Sequence, residues 1–318
     1  MSKQANQSPV VCLFGPTASG KTPLAIHLVQ QFPCEIVSVD SAMVYRGMDI
    51  GTAKPETDVL RIAPHRLIDI LDPKESYSAG QFRADALREI ENIIANKKIP
   101  LLVGGTMMYF RVLQQGLATL PKADLTLRAE LQAQAEKEGW ESLHMQLASI
   151  DPAAAQRINS QDAQRIQRAL EVYMLTGKTI TSLQLEDTQP LSGYHIHNLA
   201  LAPADRARLH ERIAIRFDQM LNAGFIDEVK QLFDRGDLTP EMSSIRSVGY
   251  RQAWDYLAGL SHYADMREKA IVATRQLAKR QMTWLRSWPE VDCLDADSER
   301  VVDQASKLLD NLVRKYSY

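Results

Sequence analysis

The stretch Gly15–Thr22 reads GPTASGKT and fits G-x-x-x-x-G-K-[ST], with Gly15, Gly20, Lys21 and Thr22 at the fixed positions. Glycines let the backbone turn tightly so that its N–H groups converge on a phosphate. The lysine adds positive charge, and the Thr22 hydroxyl can ligate Mg²⁺. The flanks suit the motif. VVCLF before the loop reads as a short buried strand, and PLAIHLVQQF after Thr22 has apolar residues at helical spacing. Strand, loop and helix start in that order make an anion site, because the helix dipole and its free N–H groups favour negative charge. All eight residues, Gly15, Pro16, Thr17, Ala18, Ser19, Gly20, Lys21 and Thr22, are phosphate-binding candidates, and Thr22 is the candidate metal ligand. Pro23 is tolerated in a first helical turn but has no N–H to offer a further phosphate. That favours a ligand with two phosphates over a nucleoside triphosphate.

A phosphate loop needs a sheet behind it, and the chain supplies candidate strands in alternation with helices. EIVSVD (35–40), HRLIDIL (65–71) and IPLLVGG (99–105) read as strands. Ser78–Lys97 reads as an amphipathic helix capped by Ser78 with Gln81 three residues on, and TMMYFRVLQQG as a helix stopped by Gly116. Alternating elements predict a parallel sheet covered on both faces. Ligands of such sheets bind at the carboxyl ends of the strands. Asp40 lies at one such end; it either faces the phosphate site or caps the following turn. LLVGGT lacks the strand-end acid through which a nucleoside triphosphatase holds its metal. Thr106 stands there instead, as a helix cap or a substrate contact.

The character changes between about Leu120 and Gly193. Helices are expected at 125–139, 140–150, 152–158 and 162–176, punctuated by Pro121, Gly139, Pro152 and Gly177. This reads as a helical insertion. Strand character returns at 194–201 and 291–296, with helices between them at 204–223, 225–235 and 263–288.

The net charge of −2 argues against a uniformly basic nucleic-acid binder, but not against a local basic surface. Such surfaces are present. Arg165 and Arg168 share a helix face; Arg208, Arg212 and Arg216 form an i, i+4 stripe; Arg246 and Arg251 flank Gly249. Arg275, Lys279, Arg280 and Arg286 occur with no acid among them and with Trp284 and Trp288 interleaved. A stripe of charge is usually a solvated face, but several acid-poor stripes on a near-neutral chain are the footprint of a phosphate backbone. Three scattered cysteines suggest reduced thiols, the polar N-terminus is no secretory signal, and no apolar run is long enough to span a membrane. A cytoplasmic monomer is expected.

GPTASGKT, VDSAMVYRGMDIGTAKP, YSAGQFR, GGTMMYF, QRIQRALEVY, RIAIRFDQML, SIRSVGYRQ and KRQMTWLR together resemble the tRNA dimethylallyltransferases, from Val10 to about Asp292. The resemblance implies an α/β fold, a P-loop kinase-like core with a parallel sheet flanked by helices (1–120 and 194–318), plus an all-helical insertion domain (121–193) contacting tRNA. It implies transfer of a dimethylallyl group from dimethylallyl diphosphate, with Mg²⁺, to the adenosine 3′ to the anticodon in the tRNA anticodon stem-loop. It makes Asp40 the general base on the adenine amine, and matches tRNA-contacting positions at Asp40, Ser41, Ala42 and Met43, at Thr106 and Arg128, and at Gln164, Arg165, Ile166, Gln167 and Arg168. Further matches are Arg246, Ser247, Val248, Gly249, Tyr250 and Arg251, and Lys279, Arg280, Gln281, Met282, Thr283, Trp284, Leu285 and Arg286. Pro23 departs from the family, where alanine is common. Chemistry adds a requirement for an arginine on the departing diphosphate, for which Arg216 and Arg212 are both candidates. A kinase using the same loop to bind ATP is the main rival; Pro23, the missing acid and the basic stripes oppose it. A non-catalytic tRNA-binding module would have no need of Lys21, Thr22 and Asp40 together.

Overall fold

The computed structural model describes residues 8–118, 120–186 and 190–316. The polar start of the chain, read above as carrying no secretory signal, lies outside them. In chain order the elements are β1 (Ser8–Phe14), α1 (Lys21–Gln31), β2 (Cys34–Val39), α2 (Thr57–Ile62), β3 (His65–Arg66), α3 (Ala79–Ala95), β4 (Ile99–Gly104) and α4 (Met107–Gln115). Then follow α5 (Leu125–Glu138), α6 (Trp140–Ile150), α7 (Pro152–Arg157), α8 (Ala163–Thr176) and α9 (Ile180–Glu186). The chain closes with β5 (Tyr194–Ala202), α10 (Arg206–Asn222), α11 (Phe225–Asp234), α12 (Tyr250–Leu257), α13 (Tyr263–Arg286), β6 (Val291–Asp295) and α14 (Val301–Tyr316).

It forms two compact units, residues 1–112 with 193–318, and residues 113–192. In the first, six strands form one sheet in the order β3-β2-β4-β1-β5-β6, and every pairing is parallel. The apolar runs are what a sheet covered on both faces requires: β1 and β4 are buried almost end to end. One face packs Val11, Leu13, Leu101 and Leu199 against Leu24 and Leu28 of α1 and Leu309 of α14. A second cluster joins α10–α13 to the segment after β2, through Tyr45, Met48, Phe217, Phe225 and Tyr250. Because β4 lies on one side of β1 and β5 on the other, the strand order reverses at β1, and the carboxyl edge at such a reversal is where open α/β sheets bind their ligands.

The second unit is helical. Leu131, Leu143, Leu147, Ile166 and Leu170 of α5, α6 and α8 make its core. Asp124, Asp151 and Asp162 each cap a helix with a side-chain oxygen, which explains why the helices begin where they do.

The strand expected at 65–71 is a correction. Only His65–Arg66 pair with β2, because Leu67 (φ 62°) and Asp69 (φ 55°) leave the extended region and break the ladder. Helices α2, α9, α12 and α14 were not anticipated. No helix among the described residues is long and apolar enough to cross a membrane. Cys12 and Cys34 are buried and Cys293 is exposed, and none of the three is in a disulfide.

Candidate active site

The phosphate loop joins β1 to α1 as its spacing requires. Gly20 takes φ 89°, a left-handed conformation open to glycine at little cost, and serves as the N-cap of α1 without a side-chain acceptor. Ala18 is also left-handed at φ 61°, which costs a residue with a Cβ and is the kind of strain that collects at functional loops. The Lys21 ammonium is enclosed by its own loop. It donates to Gly15 O at 2.9 Å and Pro16 O at 2.7 Å, with Ser19 Oγ at 3.5 Å. No carboxylate pairs with it among the described residues.

That environment lowers the Lys21 pKa from 10.5 to about 7. Burial contributes most, the positive Arg216 adds to it, and Asp40 opposes both. Arg216 on α10 is likewise lowered by burial against the pull of Asp40. Three groups from three elements, Lys21 after β1, Asp40 after β2 and Arg216 on α10, therefore share one electrostatic site. Tyr109 of α4 belongs with them: its phenol is pushed up by burial and by the nearby Tyr45 and Asp40. Its ring stacks on Phe82 at 4.3 Å between centroids.

Both readings of Asp40 have a geometric basis. One carboxylate oxygen, Oδ1, accepts the N–H groups of Ala42 at 2.8 Å and Met43 at 3.2 Å, so Asp40 does cap the turn. Oδ2 has no hydrogen-bond partner among the described residues. Thr106 reaches the same turn: its hydroxyl accepts the Ser41 N–H at 3.1 Å. Arg212 differs from Arg216. It is ion-paired with Asp297, 85 residues away, at 2.5 Å.

The loop MDIGTAKP is held in place by two residues the sequence did not single out. Glu228 of α11 accepts the N–H groups of Asp49 (2.8 Å), Ile50 (2.7 Å) and Gly51 (3.1 Å), and the Tyr250 hydroxyl at 2.6 Å. Lys54 donates to Tyr45 O at 3.0 Å and pairs with Asp49 and Asp69. No local pattern reveals the Glu228 contacts, because the loop N–H groups it accepts lie 177 to 179 positions away.

The segments expected to touch RNA divide by face. On α13, Lys279, Arg280, Thr283 and Arg286 are exposed, and Met282 and Trp284 are half-buried. Lys279, Arg280 and Arg286 have no ion pair among the described residues. Arg111 lies over the Trp284 ring at 5.6 Å from its centroid. Leu285 faces the core, and Gln281 turns inward to the phosphate loop. Arg246 is exposed, and Ser247 and Val248 are half-buried. Gly249 and Tyr250 are buried, while Arg251 is tied to Pro240 O and Asp255. In the helical unit Gln164 and Arg165 are exposed and Ile166 is core. Gln167 donates to Arg128 O at 2.9 Å. Arg128 and Arg168 both bind the buried Glu171.

Comparison with known proteins decides what this site belongs to. Residues 43–288 match the family described as IPP transferase. A tRNA dimethylallyltransferase of Thioalkalivibrio sulfidiphilus (strain HL-EbGR7) is 57% identical over 294 residues, 92% of each chain. The chain belongs to the IPP transferase family. Solved structures agree with this transferase along most of its length. The full-length tRNA isopentenylpyrophosphate transferase of Bacillus halodurans is similar with TM-score 0.71 and 34% identity, over 98% of both chains. A eukaryotic dimethylallyltransferase solved acting on tRNA gives TM-score 0.79 and 27% identity, covering 96% of this chain and 80% of its own.

Proposed function

We propose that this transferase moves the dimethylallyl group of dimethylallyl diphosphate onto the exocyclic N6 amine of the adenosine 3′ to the anticodon in tRNA, releasing diphosphate. The observation that carries the reading is the joint presence of Lys21, Arg216 and Asp40 in one electrostatic site, two enclosed cations with no carboxylate bound to either among the described residues. An allylic diphosphate leaves by C–O cleavage, and the charge that develops on it needs donors already in position. Lys21, Arg216 and the loop N–H groups are those donors. Arg216 is preferred to Arg212, whose guanidinium is engaged by Asp297.

The adenine amine is a weak nucleophile because its lone pair is delocalised into the ring. Asp40 Oδ2 takes the amine proton as the C–N bond forms, while Oδ1 keeps the carboxylate in place through Ala42 and Met43. The base must leave the anticodon-loop stack to reach this site.

Mg²⁺ fits the donor set if the diphosphate supplies most of its ligands. Thr22 offers one hydroxyl at the start of α1, and no cluster of three His, Cys, Asp or Glu able to hold a metal exists among the described residues. That is the pattern of an ion bound through phosphate and water. Bound there, Mg²⁺ would neutralise charge on the leaving diphosphate.

Exposed Lys279, Arg280, Arg286, Arg246 and Arg165 supply phosphate contacts to the tRNA. One chain carries the loop, the acid and the arginine, so a monomer suffices. Buried cysteines outside any disulfide suit a reducing cytoplasm. The test mixes the protein with unmodified tRNA, Mg²⁺ and labelled dimethylallyl diphosphate. Label in the tRNA is expected; no transfer, or ADP formation when ATP replaces the diphosphate, would refute the reading.

A further inference from the structure

The N–H groups of the phosphate loop are unevenly committed. Pro16 and Pro23 have none. The Ser19 N–H turns back to Pro16 O at 3.3 Å. The Thr17 N–H is donated to Gln281 Oε1 at 2.9 Å. Those of Ala18, Gly20, Lys21 and Thr22 have no acceptor among the described residues. The open donors are thus bounded by Gln281 at one end and by Pro23 at the other.

Gln281 is held in that position. It is 7% exposed, and its other end donates to Gly105 O at 2.8 Å. A Cβ on residue 105 would stand 2.4 Å from Gln281 Nε2, so a glycine after β4 is what makes room for the carboxamide. Freeing Gln281 would leave a buried amide without partners, which is unfavourable. Its oxygen sits against the Thr17 N–H where an oxygen of an anion would otherwise sit, and being neutral it closes that end without repelling the ligand beside it.

We propose that Gln281 is a specificity-determining residue for the leaving group: it closes the Thr17 end of the cradle and, with Pro23 at the other end, limits the loop to two phosphates. This rests on the assignment of the loop to a diphosphate made above. It also gives α13 two roles on two faces, since the neighbouring Lys279 and Arg280 point to solvent while Gln281 shapes the loop.

The test is calorimetric titration of the full-length protein with the magnesium salts of inorganic diphosphate and inorganic triphosphate. The wild-type protein is expected to bind diphosphate at least about tenfold more tightly, the scale of one hydrogen bond to a charged group. Gln281→Met keeps the volume but neither accepts nor donates. Its preference should fall to about threefold or less, mainly through tighter triphosphate binding. Gln281→Glu, which still accepts from Thr17, should keep the preference even though its charge weakens both ligands. Thermal unfolding checks that each variant is folded. A wild-type protein with no preference overturns the proposal, as does a folded Gln281→Met with the wild-type ratio. Should Gln281→Met not fold, a Gln281→Glu ratio of about threefold or less overturns it equally. If wild-type protein binds neither ligand, the failure lies in the diphosphate assignment itself.

Discussion

Lys21 and Arg216 in the α/β unit, and Arg128 and Arg168 in the helical unit, are cations drawn in from solvent with opposite histories. In the helical unit the buried carboxylate is answered. Glu171 is fully buried; Arg128 holds it at 2.8 and 3.1 Å, Arg168 at 2.5 Å, and the Asp124 N–H at 2.9 Å. Burial alone would raise the Glu171 pKa, but these partners hold it below the usual carboxylate range. In the α/β unit the two cations act on one another through space, and among the described residues only Asp40 opposes them. Paired buried charge maintains a fold; unpaired buried charge is stored for an anion yet to arrive. Family resemblance assigned Arg128 to RNA, and resemblance with the basic stripe assigned Arg168; the pairing with Glu171 gives both a structural part as well.

The largest effect should come from the group placed to take a proton. Asp40→Asn keeps an acceptor for Ala42 and Met43 but cannot act as a base, so single-turnover transfer should slow by about 10²- to 10⁴-fold with tRNA affinity nearly intact. A rate within about threefold of wild type would leave Asp40 as a turn cap only. Next come the two arginines of one stripe. Arg216→Ala should lower kcat by about 10²-fold, the scale of one lost transition-state donor, and Arg212→Ala by less than about threefold. Equal losses would erase the distinction between unpaired and paired.

Stability should separate the two units with opposite signs. Glu171→Ala strands two arginines and an N–H, and should destabilise the helical unit by about 3 kcal/mol in denaturant titration. Lys21→Met removes a charge the fold disfavours, and should not lower the unfolding midpoint at pH 7. The sign follows from linkage. With a folded pKa of about 7 against 10.5 unfolded, the unfolded chain binds more protons between those values, so Lys21 makes stability rise with pH across that window. The smallest effect belongs to the exposed face. Lys279→Ala with Arg280→Ala should weaken all tRNAs alike and reduce the salt slope of binding by roughly one to two units, leaving dimethylallyl diphosphate affinity unchanged.

Much of this was legible in the chain because it is local. The phosphate loop is a contiguous motif, the strands before and after it are apolar runs, and Asp40 ends a strand, so sheet, loop and acid could be placed together. What was illegible depends on contacts across the fold or on backbone angles. An i, i+4 stripe puts Arg212 and Arg216 on one face but says nothing of Asp297, which claims Arg212. Gln281 sits within a run of basic residues and reads as one more RNA contact; only the packing of α13 turns it toward Thr17, 264 positions away. Tyr109 and Glu228 carry no local signal of their roles. Hydrophobic pattern carried HRLIDIL as a strand because it does not register the positive φ of Leu67 and Asp69.

The central claim is that Lys21 is an enclosed cation awaiting an anion, and proton linkage reads it directly. Free Lys21 titrates near 7 because burial and Arg216 disfavour its charge while Asp40 favours it. Bound diphosphate favours the ammonium and raises that value. Dimethylallyl diphosphate binding should therefore take up a proton above pH 7 and none below it. Titration calorimetry in two buffers of different ionisation enthalpy, on wild type and Lys21→Met at saturating ligand, gives the difference in uptake with the ligand's own titration cancelled. That difference should be close to one proton at about pH 8 and close to zero at about pH 6. No difference at the higher pH, or the same difference at both, would contradict the account.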